Sequence, residues 1–278
     1  MQTFSEIAHY IRKERIFPIK RLYFLARAFV RDVFVRYSDM PYLEVFVTTR
    51  CNLRCEKCSN LIPFLMIQED NSISKVISNI ELLLKYVKTI YRFKIHGGEV
   101  FLHPELPKLI HYVRSNKKLF SIRLATNGSI LPNNEILDSL SESKIVVQIS
   151  DYEVSSDKIQ KLKEVLDKHK IRYVHLKNQS WRDMGDFSNR ESSRFPNCTI
   201  KRCTSMIGDE LFICSRAAMA LKENKISETN RVKFTDLTVK AFKNALKDLY
   251  TKPNEACFHC DGDTVFASKT PAGRQMKQ

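Results

Sequence analysis

From Tyr42 onward the chain alternates between short runs of β-branched and aromatic residues and longer stretches whose apolar positions recur at helical spacing. The runs predict strands over Leu43–Thr48, Phe93–His96, Ile122–Ala125, Ile145–Ser150 and Ile171–Leu176. Between them, the periodicity predicts helices over Ser72–Ile90, Pro107–Ser115, Asn134–Ser141 and Ser156–His169. Strands that alternate with helices build βα units around a parallel sheet. Five units in about 140 residues make a partial βα barrel rather than a complete eight-stranded one. The expected fold class is α/β.

The flanks follow other rhythms. Residues 1–40 carry apolar side chains at Ile7, Ile11, Leu22, Phe24, Leu25, Phe29, Val33 and Phe34, with Arg12, Lys13, Arg15, Lys20, Arg21, Arg27, Arg31 and Arg36 between them. Such a basic amphipathic helical segment can lie on an anionic membrane or pack its apolar stripe on the domain that follows. After the barrel pattern of residues 41–178, residues 179–197 are polar and turn-rich, a linker. Residues 198–261 are rich in cysteine and predict a hairpin over Thr204–Cys214 and a helix over Phe234–Leu249. Residues 262–278 hold little that would order them and read as a flexible tail.

Composition narrows the picture. With 43% hydrophobic residues in 278, the chain can bury a real core. Its formal charge of +15 points to an anionic partner or to a surface of solvated lysines. The lysines are scattered rather than run together, and no nucleic-acid partner is expected. Neither a signal peptide nor an apolar stretch of bilayer length is visible, so a cytoplasmic location is expected, where thiols stay reduced. Eight cysteines in that setting are metal ligands or reactive thiols before they are disulfides.

The first strand runs into Cys51, Cys55 and Cys58, spaced C-x3-C-x2-C. Soft sulfur ligands select zinc or iron–sulfur. A closed structural site uses four ligands, whereas three leave one metal position open for a substrate. The ends of the next strands carry Gly97-Gly98-Glu99, then Thr126-Asn127-Gly128, then Ser150-Asp151. Two glycines would let a ligand approach the backbone, and the Glu99 carboxylate could take an amine. Chemistry in such sheets sits at the C-terminal ends of the strands, where all of these motifs fall. His96 and His103 flank the Gly-Gly-Glu segment, and Trp181, Arg182, Asp183 and Asp186 follow the fifth strand at the same mouth. Each of these six is more often scaffold or solvated loop than ligand contact.

In this order the motifs resemble those of the radical S-adenosylmethionine superfamily, over roughly residues 42–178. The resemblance implies a [4Fe–4S] cluster on Cys51, Cys55 and Cys58, whose open iron chelates S-adenosylmethionine. It implies that Gly97, Gly98 and Glu99 receive the methionyl amine, and that Thr126, Asn127, Ser150 and Asp151 meet the carboxylate and ribose. Reduction of the cluster would then yield a 5′-deoxyadenosyl radical, with an electron donor such as flavodoxin or ferredoxin as partner. Lys57 stands where that family usually has an aromatic residue, which puts the adenine contact in question.

The second cysteine group, Cys198, Cys203, Cys214, Cys257 and Cys260, resembles the twitch half of a SPASM module. That resemblance implies an auxiliary [4Fe–4S] cluster; a zinc knuckle suits the spacing as well. Five cysteines exceed a four-ligand cluster, so either Cys198 or Cys203 is spare or both serve in different states. The resemblance further implies oxidation or epimerisation of a small sugar-like or cyclitol molecule. Modification of a ribosomally made peptide is the alternative within the class, and a non-catalytic cluster-binding maturase or scaffold the alternative outside it.

Overall fold

The five expected strands and the four helices between them are present in a computed structural model, which describes all residues except 1, 15, 36, 155, 189–192, 265–266 and 278. Arg15 and Arg36 of the basic segment therefore lie outside the described residues, as do parts of the expected linker and tail. The barrel strands are β1 (Asp39–Thr48), β2 (Thr89–Gly97), β3 (Leu119–Thr126), β4 (Ile145–Asp151) and β5 (Tyr173–Lys177). Two helices precede them, α1 (Gln2–Lys13) and α2 (Pro18–Phe34). The connecting helices are α3 (Ile73–Tyr86), α4 (Leu106–Ser115), α5 (Asn134–Leu140) and α6 (Ser156–Lys168). The helix expected to run to Ile90 stops at Tyr86, because Thr89, Ile90 and Tyr91 are β-branched or aromatic and pair as the start of β2.

After β5 come β6 (Ser180–Arg182), β7 (Ser205–Ile207), β8 (Glu210–Phe212), α7 (Ser215–Lys222), β9 (Arg231–Lys233), α8 (Val239–Thr251) and β10 (Lys269–Pro271). The main sheet is open, in the order β5-β4-β3-β2-β1-β7-β8-β9, with β1 to β5 parallel. The expected hairpin over 204–214 is β7–β8, but it extends the barrel sheet instead of forming a separate small module. Its first strand pairs with β1, Glu44 opposite Ser205, and covers backbone groups that would otherwise leave β1 an open edge. Met206, Leu211, Phe234 and Phe242 belong to the same hydrophobic core as the barrel strands.

The two faces of β1 and β2 differ. Leu43, Val45 and Val47 are buried in that core, whereas Tyr42 and Glu44 on the other face line a cavity. Across the ladder, Glu44 stands opposite Lys94, and Tyr42 opposite Arg92. A parallel sheet covered on both faces is ordinarily apolar on both, so this polar face marks the inside of a cavity. The N-terminal end of that interior is plugged by the segment joining α1 and α2. Glu14 Oε1 accepts from Arg92 and Arg123, both at 3.0 Å, and from Ser121 Oγ at 2.7 Å. Helix α1 packs Ile7 and Ile11 against Tyr91 and Ala28, which decides its own role in favour of packing. Among the described residues no helix is long and apolar enough to cross a membrane.

The expected flexible tail is ordered over much of its length. Strand β10 pairs antiparallel with β6, and residues 274–276 return to the cysteine loop. Gln275 Oε1 accepts from the Arg54 backbone N–H at 2.7 Å, and the Glu56 N–H donates to the Arg274 carbonyl at 2.8 Å. This ordering is invisible to pattern, because a three-residue strand and a backbone bridge carry no periodicity.

Removing the plug carboxylate should be costly. Glu14→Ala strands two largely buried guanidinium groups, and its loss should lower unfolding free energy by on the order of 3 kcal/mol. A denaturant midpoint unchanged from wild type would show that the arginines find other partners.

Candidate functional site

The loop after β1 carries Cys51, Cys55 and Cys58, all three of which line one cavity of about 520 Å³ at the C-terminal end of the barrel. Gly97 and Gly98 fix its position. A Cβ on Gly97 would lie 2.5 Å from the Thr48 carbonyl oxygen, and one on Gly98 only 2.2 Å from that of Arg50. What approaches these glycines so closely is the chain's own cysteine loop, held by Gly98 N–H to Thr48 O at 2.9 Å and Glu99 N–H to Arg50 O at 2.8 Å. Thr49 closes the loop's far side, trading hydrogen bonds with the Glu69 backbone, and Arg50 pairs with Asp70 at 2.7 Å.

The sulfurs face donors. The Asn127 amide points at Cys51 Sγ at 3.8 Å, and the Gln275 amide donates to Cys55 Sγ at 3.3 Å. Backbone hydrogen bonds from Ile62, Asn60 and Leu61 work to lower the Cys58 thiol, but burial outweighs them. Burial likewise pushes Cys51 up to about 12 and Cys55 to about 11, so ligation would displace protons from these thiols. Among the described residues no three His, Cys, Asp or Glu side chains converge on a single-ion position. A cluster places each thiolate on a different iron and needs no such convergence.

The remaining motif residues divide. Gly97, Gly98, Thr126, Asn127 and Ser150 line the cavity. Glu99 does not: it is fully buried and accepts from Thr126 Oγ1 at 2.8 Å, Asn127 N–H at 2.8 Å and Phe101 N–H at 3.2 Å. Burial pushes its carboxyl up to about 7 against the pull of those three donors. Asp151 is also off the cavity, bonded to His175 Nε2 at 2.8 Å and to the Glu153 N–H. His96 lines the cavity, 2.7 Å from the Asn60 amide, whereas His103 is tied to Asn71 and Glu105 as scaffold. Trp181 and Arg182 reach the cavity from β6; Lys57 also lines it and binds Asp183 at 2.7 Å, while Asp186 lies on a neighbouring hollow.

The deeper wall was missed by sequence reasoning. Tyr42, Glu44 and Lys94 line it, brought together by strand register, beside Cys203, which the sequence groups with the other C-terminal cysteines. Burial works to raise the Glu44 carboxyl; the Lys94 ammonium and hydrogen bonds from Ser205 and Tyr42 outweigh it and hold the group below the ordinary carboxylate range. His96 is itself pushed down to about 3, first by burial and then by Lys94, so it is neutral at physiological pH. The signal was available: polar residues at 42, 44, 92, 94 and 96 alternate with apolar ones in strands expected to be buried.

No family model matches the chain. It is 32% identical over 173 residues to the GTP 3′,8-cyclase of Aliarcobacter butzleri, covering 55% of this chain and 51% of that protein. The GTP 3′,8-cyclase of Listeria monocytogenes is 28% identical over 176 residues, 57% of this chain and 52% of that one. The chain thus spans about half the length of the curated relatives it matches. The fold superposes on BtrN, solved with AdoMet and 2-DOIA, at a TM-score of 0.50 and 15% identity over 86% of this chain and 98% of that one. The fold is that of the radical S-adenosylmethionine enzymes, the superfamily whose motif order this chain resembles. A [4Fe–4S] cluster beside S-adenosylmethionine is what the motif resemblance implies for this loop. The cysteine loop suits such a cluster: three thiols on one short segment, each with hydrogen-bond donors, open to a cavity large enough for a ligand.

The second cysteine group sorts itself. Cys198, Cys214, Cys257 and Cys260 surround a small, almost wholly apolar hollow, whereas Cys203 faces the main cavity beside Glu44. Cys214 caps α7 at the wall between the two spaces and lines both. Gly262 N–H donates to Cys260 Sγ at 3.3 Å, and Cys198 takes backbone hydrogen bonds from Asp263, Ile200 and Lys201.

Two substitutions separate packing from ligand contact. Glu99→Ala leaves three buried donors unsatisfied and should cost about 1–3 kcal/mol of stability even without ligand; thermal unfolding of the ligand-free protein reads this directly. Gly98→Ala forces the cysteine loop away and should sharply reduce iron retained after anaerobic reconstitution. Full iron content in that variant would show that the loop tolerates the displacement.

Proposed function

We propose that this chain is an enzyme that reductively cleaves S-adenosylmethionine and takes a hydrogen atom from a small, hydroxyl-rich substrate, oxidising or epimerising it. When bound, the reduced cluster supplies the electron that breaks the sulfonium and yields a 5′-deoxyadenosyl radical. Cys51, Cys55 and Cys58 are its ligands in this reading. Gly97, Gly98, Thr126, Asn127 and Ser150 form the adjoining wall for the cofactor's polar groups, with Glu99 and Asp151 bracing that wall from behind. The electron is supplied by a one-electron donor protein of the flavodoxin or ferredoxin kind.

The observation that carries the substrate class is the pairing of the cavity's cations. Lys57 stands 2.7 Å from Asp183, Lys94 is 3.9 Å from Glu44, and Arg182 is 3.9 Å from Asp263. Each positive group already has a carboxylate beside it, so the cavity offers no surplus charge to a triphosphate. What it offers is hydrogen bonding: Tyr42, Ser180, Glu44 and Lys94 around a polyol-sized space. This favours a neutral or aminated cyclitol or sugar over the nucleotide named for the cyclase relatives. The BtrN structure holds 2-DOIA, and the same class is carried here as a proposal.

Cys198, Cys214, Cys257 and Cys260 are proposed to hold an auxiliary [4Fe–4S] cluster of twitch type, with Cys203 outside it. Cys214 on the shared wall would put that cluster next to the substrate, where it could accept an electron or place the molecule. Four protein ligands leave it no open iron for S-adenosylmethionine.

Anaerobic reconstitution should load about eight irons per chain, four for each cluster. Alanine at Cys51, Cys55 or Cys58 should abolish 5′-deoxyadenosine. Cys198→Ala should lose about half the iron, and Cys203→Ala almost none. With reductant, 5′-deoxyadenosine should rise on adding an aminocyclitol or sugar panel and not on adding GTP. Formation stimulated by GTP alone would overturn the substrate class, and zinc as the sole bound metal would overturn the enzyme.

A further inference from the structure

Helix α2 packs Phe24, Leu25 and Ala28 inward and yet carries a second apolar stripe outward. Arg31 points inward, donating to Asp39 at 3.1 Å and to Thr89 Oγ1 at 3.0 Å, and Asp32 is buried beside it on the same side. Arg21 also turns in, to the Glu14 carbonyl at 3.2 Å. The outward side carries Ile19, Leu22, Tyr23, Phe29, Val30 and Val33, each between 44% and 79% exposed. Their spacings of three, four and seven residues keep them on one stripe along the helix. Water is a poor neighbour for that stripe, and large contiguous apolar patches mark a surface that is covered in use.

The charge around the stripe says by what. Exposed Lys20 lies on the helix itself, and exposed Arg12 and Lys13 close the neighbouring end of α1. Exposed Lys117 lies near Phe120, whose ring meets Phe24 of α2 at 4.8 Å; exposed Lys88 precedes the Thr89 that Arg31 grips. An apolar stripe framed by cations is complementary to anionic lipid, whose headgroups meet the cations while the side chains enter the acyl boundary. A second copy fits poorly, because it would set the same basic frame, on a chain of net charge +15, against its own kind.

We infer that the outer face of α2 docks the protein on an anionic phospholipid surface. The helix packs at the N-terminal ends of the strands, and the cavity opens at their C-terminal ends. Docking therefore leaves the site facing the aqueous phase, and this reading stands whatever the cavity's substrate proves to be.

The segment cannot simply be deleted, since α1 and Glu14 plug the barrel. The test uses the full chain with Leu22→Gln, Val30→Gln and Val33→Gln combined, all on exposed positions, and checks the fold by circular dichroism. Wild type should sediment with vesicles containing phosphatidylglycerol, not with pure phosphatidylcholine, and should be released by high salt. The triple variant should bind at least about tenfold more weakly. Equal partition onto neutral vesicles, or no sedimentation at low salt, overturns the proposal. So does a wild-type dimer in analytical ultracentrifugation that the triple variant abolishes, because the stripe is then covered by a second copy. Should the triple variant misfold, the comparison of neutral with anionic vesicles and the salt dependence of wild type still decide the question.

Discussion

The site hangs on a backbone contact. Strand β2 ends at Gly97 and Gly98 follows it, and the carbonyls of Thr48 and Arg50 occupy the space where their side chains would be. That approach lets the Gly98 and Glu99 N–H groups bind the turn out of β1, so that the cysteine loop starts from a fixed point. Glu99 then extends the same constraint to the next strand end, since its buried carboxylate gathers Thr126 and the Asn127 backbone. Three consecutive strand termini are in this way one hydrogen-bonded unit, and Asn127, held by it, is the residue whose amide faces Cys51.

A second constraint works from the other side of β1. The first strand of a βα array needs a neighbour on its free edge, and β7 supplies it. Because β7 lies between Cys203 and Cys214, that pairing sets one thiol on the wall of the main cavity and another between the two hollows. The cysteine-rich segment is thus part of the barrel's own architecture. Its helix α8 reaches back to stack Phe242 on Tyr86 of α3, with ring centroids 4.7 Å apart.

What the sequence disclosed and what it hid differ by a physical rule. The Cys51–Cys58 spacing, the Gly-Gly-Glu and the Thr-Asn-Gly were legible because each lies within a few consecutive residues at a strand end. The strands themselves were legible from β-branched runs, to within a few residues at their ends. The role of the glycines was not, since a Cβ clash depends on a segment some fifty positions away in the chain. Glu44 and Lys94 meet only through register, and the choice between Cys198 and Cys203 rests on which way each side of a short turn faces. The ordering of residues 269–276 was the least accessible, as it depends on partners on β6 and in the first cysteine loop.

That last feature has a bearing on how the protein assembles. The bond from Gln275 to Cys55 closes a separation of 220 residues, whereas each βα unit closes over a few dozen. Chain entropy orders these events: short loops close first, and the most distant pairing is reached when most of the barrel already stands. The thiols of the first loop are therefore exposed on a nearly complete scaffold before their cover arrives, an interval in which metal and sulfide could be delivered.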